Sequence, residues 1–270
     1  MYVQYYDPTH NQNPVPILLL HGGFHTGACF VQTPDRRPGW GVYLAEQGWK
    51  TYIVDLPGHG RSGFVPNFSV MPYQTVINAT VALLEKIGPS VILTHSMSGV
   101  IGWQIGKTHP QLVKAIIGIA PVPPADLLPA IAKDSDEACP EDRPRIQSRE
   151  DTKKYFTNSD TFPKETFEDY FRSLVAESAR MSNERRNVEG QGLYIGDPQL
   201  LFNIPICVIT GDQDTRHPYE VDAETAKYFR GDFIWLPEVG LPGHGHLPML
   251  EQGNLAIANV FINWLKSKGL

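Results

Sequence analysis

Short apolar runs of strand length alternate along most of the chain with stretches of helical periodicity. The runs fall at residues 15–20, 51–54, 90–93, 115–120, 206–210 and 233–235. Helical patterns occupy 39–48, 72–87, 97–108, 219–229 and 254–267. This alternation predicts an α/β fold: a mostly parallel central sheet with helices on both faces. It breaks between about 121 and 203, where Pro121, Pro123 and Pro124 introduce charged, weakly periodic segments. Such a stretch is too long for a structureless loop in a compact domain. The expected organisation is a core of residues 1–120 and 206–270, with residues 121–205 inserted as a helical cap over the carboxyl ends of the strands.

Composition narrows the function classes. The 270 residues, 41% of them hydrophobic, suffice for one large α/β domain. Net charge is −6 and no run of Lys or Arg occurs, which argues against nucleic acid and anionic membrane surfaces. A small molecule is the expected partner, and a homodimer is left open. Cys29, Cys139 and Cys207 lack metal-ligand spacing and imply no disulfide framework; Cys207, inside an apolar run, reads as a core thiol. No signal peptide is visible at the N-terminus, and no apolar run approaches the ~20 residues of a membrane span. A cytoplasmic location is expected, although a trimmed secreted form would look the same.

The most telling segment is Val91-Ile92-Leu93-Thr94-His95-Ser96-Met97-Ser98-Gly99. An apolar strand ends in a serine with small residues two positions to either side, and a helix follows at once. That is the shape of a nucleophile elbow, which thrusts a serine Oγ into the open. The usual spelling is G-x-S-x-G; here Thr94 and Ser98 replace the glycines. A strand end followed by a serine-capped helix is the blander reading.

Partners for Ser96 fall at the ends of other predicted strands, where open α/β sheets place ligands. Gly245-His246 followed by Glu251, ahead of the last helix, selects His246 as the base, with His244 as a pocket-rim or surface residue. Asp214, three residues past Gly211, is the favoured acid, and Asp212 its competitor as a turn residue. The order Ser96, Asp214, His246 suits the fold. Oxyanion donors are expected at the N–H groups of Met97 and Gly23, with Phe24 as the alternative to Gly23; Phe24 and His25 could line a pocket. His21 reads as a loop support, Asp55 as a structural hydrogen-bonding group, and His59 as part of a structural glycine-rich turn. His95 reads as a packing group, His109 as a helix-end cation, and Trp103 as core. No metal ligand set and no cofactor are implied.

With these residues in place, the chain resembles the α/β-hydrolase superfamily over nearly its whole length, and more narrowly a branch of bacterial serine esterases. The resemblance rests on Leu20-His21-Gly22-Gly23, Thr33-Pro34-Asp35-Arg36-Arg37-Pro38-Gly39-Trp40, the segment from Asp55 to Ser62, and Leu236 to Gly240. That branch carries its acid as a glutamate after the strand following the elbow helix. Ala120 occupies the matching position, which moves the acid role to Asp214 and leaves Asp126 a remote fallback. The family's first strand has no visible counterpart, or falls before Met1, so a shortened sheet is expected. The resemblance implies a cofactor-free serine hydrolase that cleaves an ester, lactone or related acyl bond of a small, fairly apolar substrate. A C–C bond hydrolase or lyase, a ligand-binding receptor and a silent relative are the alternatives.

Overall fold

The computed structural model describes residues 1–8, 10, 13–128 and 137–270. Residues 129–136 of the inserted segment thus lie outside the described residues. A seven-stranded sheet runs in the order β1-β3-β2-β4-β5-β6-β7. Its strands are β1 (Tyr2–Tyr6), β2 (Asn13–Leu20), β3 (Trp49–Asp55), β4 (Ser90–His95), β5 (Val113–Ile119), β6 (Ile206–Thr210) and β7 (Asp232–Trp235). All neighbours are parallel except β1, which pairs antiparallel with β3 in the register Tyr2↔Asp55 to Tyr6↔Thr51. β1 was not among the predicted strands. Its Tyr-Val-Gln-Tyr-Tyr sequence is an edge strand with little burial, so it lacks the apolar run that marked the others.

Alternate residues of each central strand feed two cores. Ile17, Leu19, Val91, Leu93, Ala115, Ile117, Cys207 and Ile209 face one side. Leu18, Leu20, Ile92, Ile116, Ile206 and Val208 face the other. This is the two-residue strand period with both faces buried, which explains why these strands read as unbroken apolar runs. The first core is covered by α1 (Trp40–Glu46) and α8 (Asn254–Ser267), through Trp40, Leu44, Ile257, Phe261 and Leu265. The second is covered by α2 (Tyr73–Ile87), α3 (Gly99–Thr108) and α7 (Tyr219–Tyr228), through Val76, Leu84, Trp103 and Ala226. Apolar residues at helical spacing thus turn towards the sheet from both sides.

Between β5 and β6 the described chain forms α4 (Arg149–Tyr155), α5 (Phe167–Ser173) and α6 (Ala179–Arg185). This segment is tied to the loops at the carboxyl ends of the strands. The Val175 N–H donates to the Phe24 carbonyl (2.8 Å). Ser178 Oγ donates to the Met71 carbonyl (2.7 Å), and Glu184 accepts the Tyr73 N–H (2.8 Å). Among the described residues no helix is long and apolar enough to cross a membrane.

Candidate active site

β4 is buried along its whole length between β2 and β5 and ends at His95. Ser96 follows with φ of 49°, in the left-handed region. For a residue with a Cβ this conformation costs about 1–3 kcal/mol and persists only where the surroundings enforce it. Here they do. The His95 N–H donates to Ser98 Oγ (2.8 Å), which in turn donates to the Leu20 carbonyl (2.8 Å), tying the turn to the end of β2. A single 3₁₀ turn, Ser96–Ser98, then leads into α3. Thr94 fits because the helix position facing it is Gly102, where a Cβ would lie 2.9 Å from the Thr94 methyl. The space that the usual spelling obtains at Thr94 is supplied by Gly102, in the first turn of α3.

The loops after β6 and β7 bring two of the predicted partners to this serine. His246 Nε2 lies 3.0 Å from Ser96 Oγ, and His246 Nδ1 lies 2.7 Å from Asp214 Oδ2. The other Asp214 oxygen accepts the N–H groups of Arg216 (2.9 Å) and His217 (3.1 Å). Burial disfavours the Asp214 carboxylate, but His246, His217 and these N–H groups outweigh it and hold the carboxyl well below its usual range. Burial also lowers the His246 pKa, more than the facing carboxylate raises it. The resting pair is therefore a neutral imidazole on an ionised carboxylate, with an Nε2 lone pair aimed at the serine hydroxyl. Asp212 turns elsewhere and accepts the Gly243 N–H (2.8 Å). Asp126 accepts the N–H groups of Ile195 (2.6 Å) and Gly196 (3.0 Å). Ala120, with φ of 41°, closes β5 with a methyl group and no carboxylate.

One placement differs from the sequence reading. His244 is buried, not at a rim or surface, and its Nδ1 lies 2.9 Å from Glu251, the residue whose spacing marked His246. Glu251 also accepts the Gly245 N–H (3.0 Å) and the hydroxyls of Ser159 (2.8 Å) and Thr161 (2.9 Å). It braces the loop that carries His246 without touching the His246 ring. The Thr33-to-Trp40 segment braces the same loop from below. Arg37 donates to the carbonyls of Glu251 (2.8 Å) and Leu250 (2.8 Å) and to Asn254 Oδ1 (2.7 Å). Trp40 Nε1 donates to the Asn254 carbonyl (2.8 Å). His95 Nε2 lies 2.8 Å from the His246 carbonyl, so His95 supports the loop as well as packing.

The turn after β2 lies against the elbow. A Cβ on Gly22 would fall 2.5 Å from His95 Nδ1 and 3.2 Å from Ser96 Cβ, so only glycine permits this approach. Among the described residues no backbone acceptor takes the N–H of Gly23 or Phe24. His21 Nε2 accepts the Leu56 N–H (3.0 Å) while Nδ1 donates to the Gly22 carbonyl (2.8 Å). Burial lowers its pKa to about 3, so it stays a neutral strut. His25 is fixed between the Gly23 carbonyl (2.6 Å) and the Tyr170 hydroxyl (2.9 Å), and burial lowers its pKa to about 4. His25 borders a cavity of about 130 Å³ with Cys29, Tyr170 and Leu250; neither Phe24 nor Ser96 does. Phe24 packs instead under the Arg145 guanidinium, 5.3 Å from its ring centre.

Three features escaped sequence reasoning. Phe156, at the end of α4, stacks on the His246 ring at 5.4 Å and 12°. His217 stacks against it at 5.3 Å and 21°. Glu177 and Arg185, both buried, form a two-armed ion pair, and a Cβ on Gly23 would lie 3.2 Å from Glu177 Oε1. Burial opposes the Glu177 charge, but Arg185 and Arg145 keep its carboxyl below the usual value. His217, three residues after Asp214, was within reach of a spacing argument; Phe156, Glu177 and Arg185 carried no local signal. Among the described residues no three His, Cys, Asp or Glu side chains converge as metal ligands would.

A fungal protein named Probable secreted lipase phiG (Fungal sp., strain ATCC 74256) is 26% identical over an alignment of 341 positions, covering 99% of this chain and 86% of that protein. Bifunctional epoxide hydrolase 2 of Rattus norvegicus is 22% identical across 71% of this chain, which spans only 34% of that protein's length. The solved structure of a bacterial esterase superposes with a TM-score of 0.62 at 20% identity, covering 98% of this chain and 85% of that one. The model of the alpha/beta hydrolase family matches residues 17–260. A match of that extent, on a mostly parallel sheet of this order, settles the affiliation: the chain belongs to the alpha/beta hydrolase family, as an enzyme of the hydrolase type.

Proposed function

We propose that the protein is a serine hydrolase that cleaves an ester or related acyl bond through an acyl-enzyme on Ser96. The observation that carries this reading is the unbroken Asp214–His246–Ser96 hydrogen-bond chain, at 2.7 Å and 3.0 Å. His246 Nε2 takes the Ser96 proton as Oγ adds to the carbonyl carbon, and the negative charge moves to the carbonyl oxygen. The N–H groups of Met97, in the first turn after the elbow, and Gly23 receive that oxyanion. His246 then protonates the leaving alkoxide, and a water molecule, deprotonated by the same imidazole, releases the acid. Asp214 holds the Nδ1–H tautomer and stabilises the imidazolium formed in each half-reaction.

Residues 121–205 act in this reading as the cap over the site. Phe156 on His246, Tyr170 on His25 and the Glu177 carboxylate near Gly23 support that role. The names of two similar proteins, a lipase and an esterase, favour carboxylic esters as substrates. The test is hydrolysis of p-nitrophenyl esters from acetate to decanoate. Turnover that falls to background in Ser96→Ala is expected. Turnover retained in Ser96→Ala would overturn the assignment.

A further inference from the structure

We propose that His217, held by Asp222, is a positioning residue for this reaction: stacked on His246, it fixes the imidazole plane and sets a positive charge against it. The inference rests on the serine-hydrolase reading above and extends it to a second histidine–carboxylate pair. His217 Nδ1 lies 3.1 Å from Asp222 Oδ1, and the other Asp222 oxygen accepts the Thr210 hydroxyl at the end of β6. His217 is 5% exposed and Asp222 fully buried. The backbone of the same residue donates its N–H to Asp214 Oδ1, so one residue orients the acid and flanks the base. Phe156 also lies nearly parallel to the His246 ring, so two aromatic rings flank the imidazole and restrict its tilt.

The charge follows from the surroundings. Burial disfavours a cationic His217, but the facing Asp222, followed by Asp214, raises its pKa above the ordinary histidine value. The other histidines facing His246 carry no such charge. His95, from β4, and His25, from the turn after β2, are held neutral by burial. Arg216, beside His217 in the loop, also lowers the His246 pKa, but less than His217 does; its guanidinium lies over the rings of Tyr155 (5.4 Å) and Phe156 (6.0 Å) and is partly exposed, where solvent screens it. A cation on the flank of His246 disfavours a second cation there. The free enzyme then keeps His246 neutral to lower pH, and the imidazolium formed during attack is a stronger acid towards the leaving alkoxide.

Two variants remove the charge in different ways: His217→Phe keeps an aromatic ring on His246, and Asp222→Asn keeps the shape of the carboxylate. Both are read by the pH profile of kcat/KM on p-nitrophenyl acetate. The acid limb should move to higher pH, with kcat/KM at pH 6 relative to pH 8 falling roughly threefold or more, since one unit of pKa is about tenfold below the limb. Profiles that superimpose on wild type after scaling would overturn the proposal and leave His217 a packing residue. Should either variant misfold, imidazole NMR titration of the wild-type protein decides instead. His217 cationic at pH 6 while His246 is neutral is the expected result; a neutral His217 at pH 6 refutes it. That titration needs no turnover, so failure of the hydrolase reading is separable from failure of this one.

Discussion

Lowering the pH from 7 to 5 should destabilise the fold, chiefly through histidines that burial keeps neutral. His21 and His25 titrate near 6.5 in the unfolded chain, but burial lowers them to about 3 and about 4 in the native one. Between those values the unfolded state binds one more proton per histidine, so stability falls as pH falls through this window. Each group contributes a slope of about 1.4 kcal/mol per pH unit, hence about 2 kcal/mol each by pH 5 and about 4 kcal/mol together. His59, His95 and His246 are lowered too and act in the same direction. His217 is raised, so its contribution is complete below pH 6.5 and fades as pH rises through its native value; it offsets the fall only in the first step from pH 7 towards 6.5 and adds nothing further below. Asp214, Asp55 and Glu177 have lowered values and lose their contributions only in more acidic solution. For a chain of this size about 4 kcal/mol corresponds to a drop in Tm of roughly 10 °C. Urea titrations and thermal melts followed by tryptophan fluorescence at pH 7 and pH 5 measure it. A stability that is flat or rises towards pH 5 would refute the neutral, buried state of these histidines.

Other outcomes follow from single contacts. Asp214→Asn should lower kcat by about 10⁴-fold by stabilising the wrong tautomer of His246, whereas Asp212→Asn should cost less than about tenfold because it loses only a loop tie; steady-state kinetics on one ester separates them. Glu251→Gln removes the charge that four donors share. It should cost about 2–4 kcal/mol in thermal unfolding while the surviving folded enzyme shows weakened turnover, because the His246 loop is no longer braced. Gly22→Ala places a methyl 2.5 Å from His95 Nδ1. It should lower kcat/KM by about 100-fold by pushing the elbow off line, even if the protein folds; an Ala variant with wild-type kinetics would show that the turn has room.

What the sequence revealed depended on how local each cause was. The central strands and the helices α2, α3, α7 and α8 were legible because their own side chains carry the burial pattern. Ser96 was legible because an elbow is a local shape, and Asp214 because it follows a strand end. The burial of His244 was not legible for a physical reason: its partner Glu251 lies seven residues on, and the loop that closes the pair has no periodicity. Thr94 looked like a defect until its complement, Gly102, was placed against it across the strand–helix packing. Phe156, Glu177 and Arg185 reach the site from the inserted segment, whose path over the strands no periodicity encodes. The role of Arg37 and Trp40 is likewise visible only when the His246 loop is seen resting on them.

The most direct measurement is the site of covalent modification by a fluorophosphonate, mapped by mass spectrometry. Attack by an activated serine hydroxyl predicts a single stoichiometric adduct on Ser96, abolished in His246→Ala at the same concentration and time. No adduct on the folded wild-type protein, or an adduct on another residue, would contradict Ser96 as the nucleophile.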